Sequence, residues 1–195
     1  MTGCVETFEN KLAEFTGAPY VVSTDCCTHA VELCFRLLQI KTCSFSAFTY
    51  ISIPMTMKML GVEYIMLDQS WQDQYQFIDT PVWDSARCLK PNMYKAGQYQ
   101  CLSFGHSKPL DNVRGGAILL DNEAHYKRLK MLSYDGRDLQ HDKWIEQKVY
   151  EQGFHYMMRY EECESATLLL ENYITAGNFA HRYSPYPDLR EIEIR

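Results

Sequence analysis

The stretch CLSFGHSKPLDNVRGGAILLDNEAHYKRLKMLSYDGRD, residues 101–138, decides the fold. Tyr99 to Phe104 reads as a strand and Gly115 to Leu120 (GGAILL) as another, and residues 122–132 read as the helix that follows, with Asn122 as its cap. Between the two strands lies a polar loop that carries Lys108, directly before Pro109, and ends in the pair Gly115-Gly116. Proline keeps the lysine backbone out of the helical region, so Lys108 belongs to a loop that follows a strand.

The same alternation continues outward. Residues 7–16 place Phe8, Leu12 and Phe15 at helical spacing and stop at Gly17. Tyr20 to Ser23 is β-prone, and residues 27–40 carry Ala30, Val31, Cys34, Leu37 and Leu38 on one helical face. Met55 to Leu60 predicts a short helix broken by Gly61, and VEYIML predicts a strand ending in Asp68. Residues 69–78 show no periodicity, and Pro81-Val82-Trp83 forms a brief strand up to Asp84. Two more helices are expected near 142–151 and 160–174. Strands alternating with helices predict an α/β fold, a three-layer sandwich around a mostly parallel sheet, with ligands at the carboxyl ends of the strands. The 195 residues suit one domain, 1–195, in which about 142–195 forms a helical C-terminal extension.

Composition removes several classes. The net charge of −6 argues against a nucleic-acid partner, because that affinity comes from clustered Lys and Arg. No run of eighteen apolar residues occurs, so no membrane partner is expected and the chain reads as soluble and cytoplasmic. The eight cysteines form no CxxC pair and read as reduced thiols; no metal site is expected.

Three positions after strands have complementary chemistry. Thr28 opens a helix whose free N–H groups suit a phosphate, Asp84 can hold a pyridinium proton, and the Lys108 amine can form an imine with an aldehyde. Together they describe a pyridoxal 5'-phosphate site. Each also has a plainer reading: Lys108 as a solvated charge, Asp84 and Thr28 as caps. His29 and His106 lie beside these positions and read as structural.

Residues 101–138 resemble the lysine segment of the DegT-type nucleotide-sugar aminotransferases, Ser-Phe-x-x-Thr-Lys followed by Gly-Gly-Ala, matched here by Ser103, Phe104, Ser107, Lys108, Gly115, Gly116 and Ala117. Upstream, FENKLAEFTGAPYVVSTDCCTHAVEL is similar to the family's opening helix, strand and phosphate turn. FTYIS…LGVEYIMLD is similar to its Phe-Thr-Phe…Val-Asp stretch, and GFHYMMRYEECESATLLL to its Gly-Tyr-Asn-Tyr-Arg-Met…Gln-Ala-Ala helix. The resemblance implies the large domain of a fold-type I pyridoxal-phosphate enzyme. It makes Lys108 the Schiff-base lysine and the proton-moving base, and Asp84 the partner of the pyridine nitrogen. Tyr50 would lie on the ring face, and Cys27, Thr28 and Ser103 at the phosphate. Tyr50 and Ser103 also have plain readings, as core packing and as a local backbone partner. The implied reaction moves an amino group from an amino acid, glutamate by expectation, to a keto-sugar nucleotide, in a homodimer with shared active sites.

The chain departs from the family in five ways. Cys26-Cys27-Thr28 stands where Ser-Gly-Thr is usual, Arg87 replaces a glutamine, and His155 falls near a usual asparagine. The stretch between Asp68 and Asp84 reads as compressed, and the smaller C-terminal domain is expected to be missing. The competing reading is therefore a catalytically degenerate module or partner subunit that binds pyridoxal phosphate or a sugar nucleotide. A third reading, an aminotransferase of small keto acids, would need Arg87 or Arg159 to grip a carboxylate.

Overall fold

A computed structural model of the chain describes residues 3–139, 143–181 and 183–194. Alternation along two of its strands sorts the core into halves. In β1 (Tyr20–Thr24) and β7 (Gly116–Leu120), Val22, Ile118 and Leu120 face one way, and Val21, Ala117 and Leu119 the other. The first set packs on α2 (Cys27–Leu38) and α4 (Glu123–Ser133), the second on α1 (Gly3–Thr16) and α5 (Tyr160–Ala176). A period of two in the strands thus yields a three-layer α/β sandwich with helices on both faces.

The remaining elements are β2 (Thr42–Ser46), α3 (Ser52–Leu60), β3 (Glu63–Leu67), β4 (Tyr75–Gln76), β5 (Val82–Asp84) and β6 (Tyr99–Ser103). One sheet runs β1-β7-β6-β5-β4, and β2 with β3 forms a second. A bridge from Ile78 N–H to Ser44 O, 2.8 Å, joins their edges.

The mostly parallel sheet expected from the sequence is not what forms. β5–β6 and β2–β3 are parallel, but β1–β7, β6–β7 and β4–β5 are antiparallel. For β4–β5 connection length explains this, since a parallel pair needs a crossover of about a dozen residues, usually helical, and an antiparallel pair needs only a turn. β4 and β5 are joined by a tight turn in which Asp79 is left-handed and Phe77 N–H reaches Val82 O. β6 and β7 are joined by the Lys108 loop, which has no helix. Because β7 alone is reversed between β1 and β6, the carboxyl ends of β1, β5 and β6 still share one edge of the sheet.

Two other differences concern elements. β2 and the two-residue β4 are strands that the sequence reading did not pick out. The helix expected near 142–151 is, over its described residues, only a 3-10 turn at Trp144–Glu146. Trp144, Ile145, Val149 and Tyr150 are exposed there, so no face is buried to stabilise a helix. The Gln147 side chain instead accepts from Asp138 N–H and donates to the Gly136 and Val149 carbonyls. Among the described residues, no helix is long and apolar enough to cross a membrane.

The Gly115-Gly116 pair has a steric basis. Gly115 takes φ +130°, and a Cβ on Gly116 would lie 2.6 Å from Cys26 C and Cys27 N. Gly116→Ala is therefore expected to destabilise the protein by about 1–3 kcal/mol, the cost of overpacking, read as a lower urea midpoint at unchanged slope. An unchanged midpoint would show that the turn can move away.

Candidate active site

At the shared carboxyl edge of β1, β5 and β6 lies a cavity of about 550 Å³. Cys27, Thr28, Tyr50, Asp84, Ser103 and Lys108, drawn from four separate stretches of sequence, all line it. A groove of about 530 Å³ on another face has its arginines already engaged, Arg36 with Glu32 and Arg128 with Glu151.

Asp84 ends β5 and is 4% exposed. Its Oδ1 accepts from Ala86 N–H and its Oδ2 from the buried Tyr75 hydroxyl, both at 3.0 Å, and Tyr75 is held in turn by Thr49 at 2.7 Å. Burial pushes the Asp84 carboxyl above the usual carboxylate range, although these bonds and the charges of Lys108 and Arg87 pull against it. A buried carboxylate short of positive charge is thus turned toward the cavity. The Cys27 thiol is pushed well up, by enclosure and by the Asp84 carboxylate.

The turn from β1 to α2 is built for an anion. Cys26, the N-cap, is extended and gives α2 no side-chain cap, so the first-turn N–H groups of this twelve-residue helix have no side-chain acceptor. The Thr28 and Ser52 hydroxyls pair at 2.8 Å beside it. Below the turn, Arg114 donates to Asp25 at 2.7 Å and the His29 ring sits 2.6 Å from Asp25 while stacking on Tyr156. Burial opposes the charged imidazole, but bonds to Asp25 and Cys26 raise its pKa to about 10. Donor atoms of Asp25, Cys26 and His29 lie within 4.8 Å of one another, yet Arg114 and a cationic His29 occupy that carboxylate in a way that disfavours a metal ion. His29 holds the turn, and His106, on the cavity rim, pairs with Asp111.

Lys108 sits on a loop shaped by Asp111, whose carboxylate accepts from the Ser107 and Val113 backbones. Its Nζ donates to the Tyr186 hydroxyl at 3.3 Å. Ser103 lines the cavity and its hydroxyl accepts from Gly105 N–H at 3.4 Å. Tyr50 is 55% exposed at the rim, which rules out the core-packing reading for it. None of the eight cysteines is in a disulfide.

Sequence reasoning missed Tyr75, Ser52, Trp71 and Tyr186. Tyr75 and Trp71 lie in the aperiodic stretch 69–78, and Tyr186 in an irregular tail; none carries a pattern that marks it. Of the two arginines considered for carboxylate binding, Arg159 is tied to Glu162 at the start of α5. Arg87 stands near the cavity but lies against the rings of Tyr186, Tyr183 and Trp71. His155 pairs with Asp135.

Comparison with known proteins adds three findings. A sequence model of the DegT/DnrJ/EryC1/StrS aminotransferase family matches residues 3–77 and 92–171, and the break between them contains Asp84. A search of curated proteins gives no match. Among solved structures, 3-amino-5-hydroxybenzoic acid synthase superposes with a TM-score of 0.71 at 15% identity, covering 88% of this chain and 56% of that one. DesI in the presence of its TDP-sugar product gives 0.71 at 16%, with 89% and 54% covered. The sugar aminotransferase CalS13 from Micromonospora echinospora gives 0.70 at 14%, with 89% and 61% covered. The chain spans a little over half the length of these structures.

The electrostatics of Asp84 predict a trade. Its folded pKa is raised, so the folded state holds a proton that the unfolded state has lost between the ordinary carboxylate range and the folded value. Stability from this group is present below that range and lost as pH rises through the folded value. Asp84→Asn removes the loss and is expected to raise the melting temperature of the cofactor-free protein at pH 8, by about 2–4 °C, with little gain at pH 4. Calorimetry at the two pH values reads it; a lower melting temperature at pH 8 would mean that the carboxylate is stabilised as an ion.

Proposed function

The chain belongs to the DegT/DnrJ/EryC1/StrS aminotransferase family, and from that premise we propose that it is a pyridoxal-phosphate-dependent aminotransferase that works through Lys108. The observation that carries the reading is the convergence, in one cavity, of an amine, a buried carboxylate and an uncapped helix N-terminus. When bound, pyridoxal 5'-phosphate supplies an aldehyde that captures amines and a ring that withdraws electrons from the captured carbon.

The residues present fit that group. The α2 N–H groups, with Cys27, Thr28 and Ser103, would hold the phosphate, and the Gly116 backbone leaves the turn its room. Asp84 would hold the ring nitrogen as a cation, which supplies the positive charge that burial leaves the carboxylate short of. Tyr50, exposed at the rim, would cover a ring face. Lys108 Nζ would hold the cofactor aldehyde and take and return the proton at the substrate carbon. We assign the amino donor to an amino acid, glutamate, and the acceptor to a keto-sugar nucleotide; family membership and the sugar aminotransferase among the similar folds support this class.

In the same proposal the whole chain is one cofactor-binding domain that pairs as a homodimer with shared sites. Tyr50, Met55 and Met59 form an exposed apolar flank beside the cavity that a second copy would cover. The competing reading is a binding module or partner subunit without catalysis.

An absorption spectrum separates the two. With added pyridoxal 5'-phosphate, the protein is expected to show a band near the visible edge that glutamate bleaches, and Lys108→Ala is expected to show neither. A spectrum indifferent to Lys108 would remove the aminotransferase reading and favour the binding module. Light scattering at micromolar concentration should return twice the chain mass; a monomeric mass would sink the dimer.

A further inference from the structure

The segment 183–194 contributes Tyr186 to the cavity lining and is a strap pinned on either side of that residue. At one side the Arg87 guanidinium lies over Tyr186 at 3.9 Å, Tyr183 at 4.9 Å and Trp71 at 5.1 Å, and Arg87 Nη2 donates to Ser184 O at 2.9 Å. At the other, Leu189 is 1% exposed and its N–H donates to Ala47 O at 3.0 Å, in the connection that leads to Tyr50. Arg190 adds ion pairs to Asp188 and Asp68. Between the anchors, the Tyr186 ring lies 6.2 Å from both Tyr50 and Trp71, and its hydroxyl meets Lys108 Nζ at 3.3 Å.

We propose that Tyr186 is a positioning residue for Lys108: its phenolic oxygen accepts an N–H of the lysine amine and keeps Nζ over the cavity, while Arg87 fixes the ring that carries the oxygen. The proposal rests on the aminotransferase reading, in which Lys108 must stay close after it leaves the cofactor, so that it can take a proton and return it. A free lysine side chain has many rotamers, and ordering it costs entropy at each turnover. A hydroxyl already in place removes part of that cost. Stacking on three aromatic rings suits the planar Arg87 guanidinium, since a cation over ring faces holds them without consuming the Tyr186 hydroxyl.

The Tyr186→Phe variant separates hydroxyl from ring, because phenylalanine keeps the stack on Arg87 and loses only the oxygen. In the cofactor-free protein, acetylation of Lys108 by limiting acetic anhydride, quantified by mass spectrometry against the exposed Lys127, is expected to quicken about 3- to 10-fold in Tyr186→Phe, the span of one hydrogen bond. Leu189→Ala, which loosens the strap away from the lysine, should quicken it as well. In the loaded protein, Tyr186→Phe is expected to lower kcat about 10-fold and to leave KM for glutamate within about threefold. The proposal is overturned if Tyr186→Phe matches the parent in labelling and in kcat while Tyr186→Ala alone is impaired, for the ring would then only pack. Labelling is read without cofactor, so it decides the Tyr186 contact even where no Lys108-dependent band forms and the aminotransferase reading itself fails.

Discussion

Everything at the site depends on one close approach of backbone to backbone, the turn at Cys26-Cys27 lying on Gly116. The turn joins β1 to α2, and Gly116 begins β7, the strand between β1 and β6. Bringing them together fixes the N-terminus of α2 beside the end of β6, and so beside the loop that carries Lys108. The two cysteines, bulkier than the small residues usual in a phosphate turn, are accommodated because the space comes from the opposite strand. Cys27 turns its thiol to the Cys101 carbonyl at 3.5 Å.

Charge at the site is arranged in two tiers. In the lower tier Asp25 is satisfied: burial opposes its ionisation, yet bonds from His29 and Arg114 outweigh burial and hold its carboxyl below the ordinary range. In the upper tier Asp84 is left under-satisfied, with a phenol and one backbone N–H as its hydrogen-bond partners. The contrast marks a structural carboxylate and one kept for a cationic partner, since groups with displaced proton affinities gather where function is.

Lys108, Asp84 and Thr28 were legible in the sequence because each follows a strand and because an α/β fold gathers such positions at one edge. The helices of both faces were legible from apolar spacing, as α1 and α2 show. Sheet direction was not, because alternation records which face a residue takes and says nothing of which way a neighbouring strand runs; the connections at 77–81 and 104–115, neither of them helical, held that information. β2 was missed because TCSFS sets few apolar side chains among small polar ones. The expected helix near 142–151 had apolar residues but no surface to bury them on. Tyr186 and Trp71 were invisible because strap and loop are fixed by contacts distant in sequence, which leave no local period.

The strap also has a consequence for the order in which the molecule assembles. The β4–β5 and β6–β7 pairs close short loops, whereas the Leu189 to Ala47 bond and the stack on Arg87 each close a long one. Loop-closure entropy rises with loop length, and contacts of low sequence separation form first. Residues 183–194 also leave the ribosome after every other wall of the cavity, so a nascent chain passes through a stage in which the cavity stands open to solution.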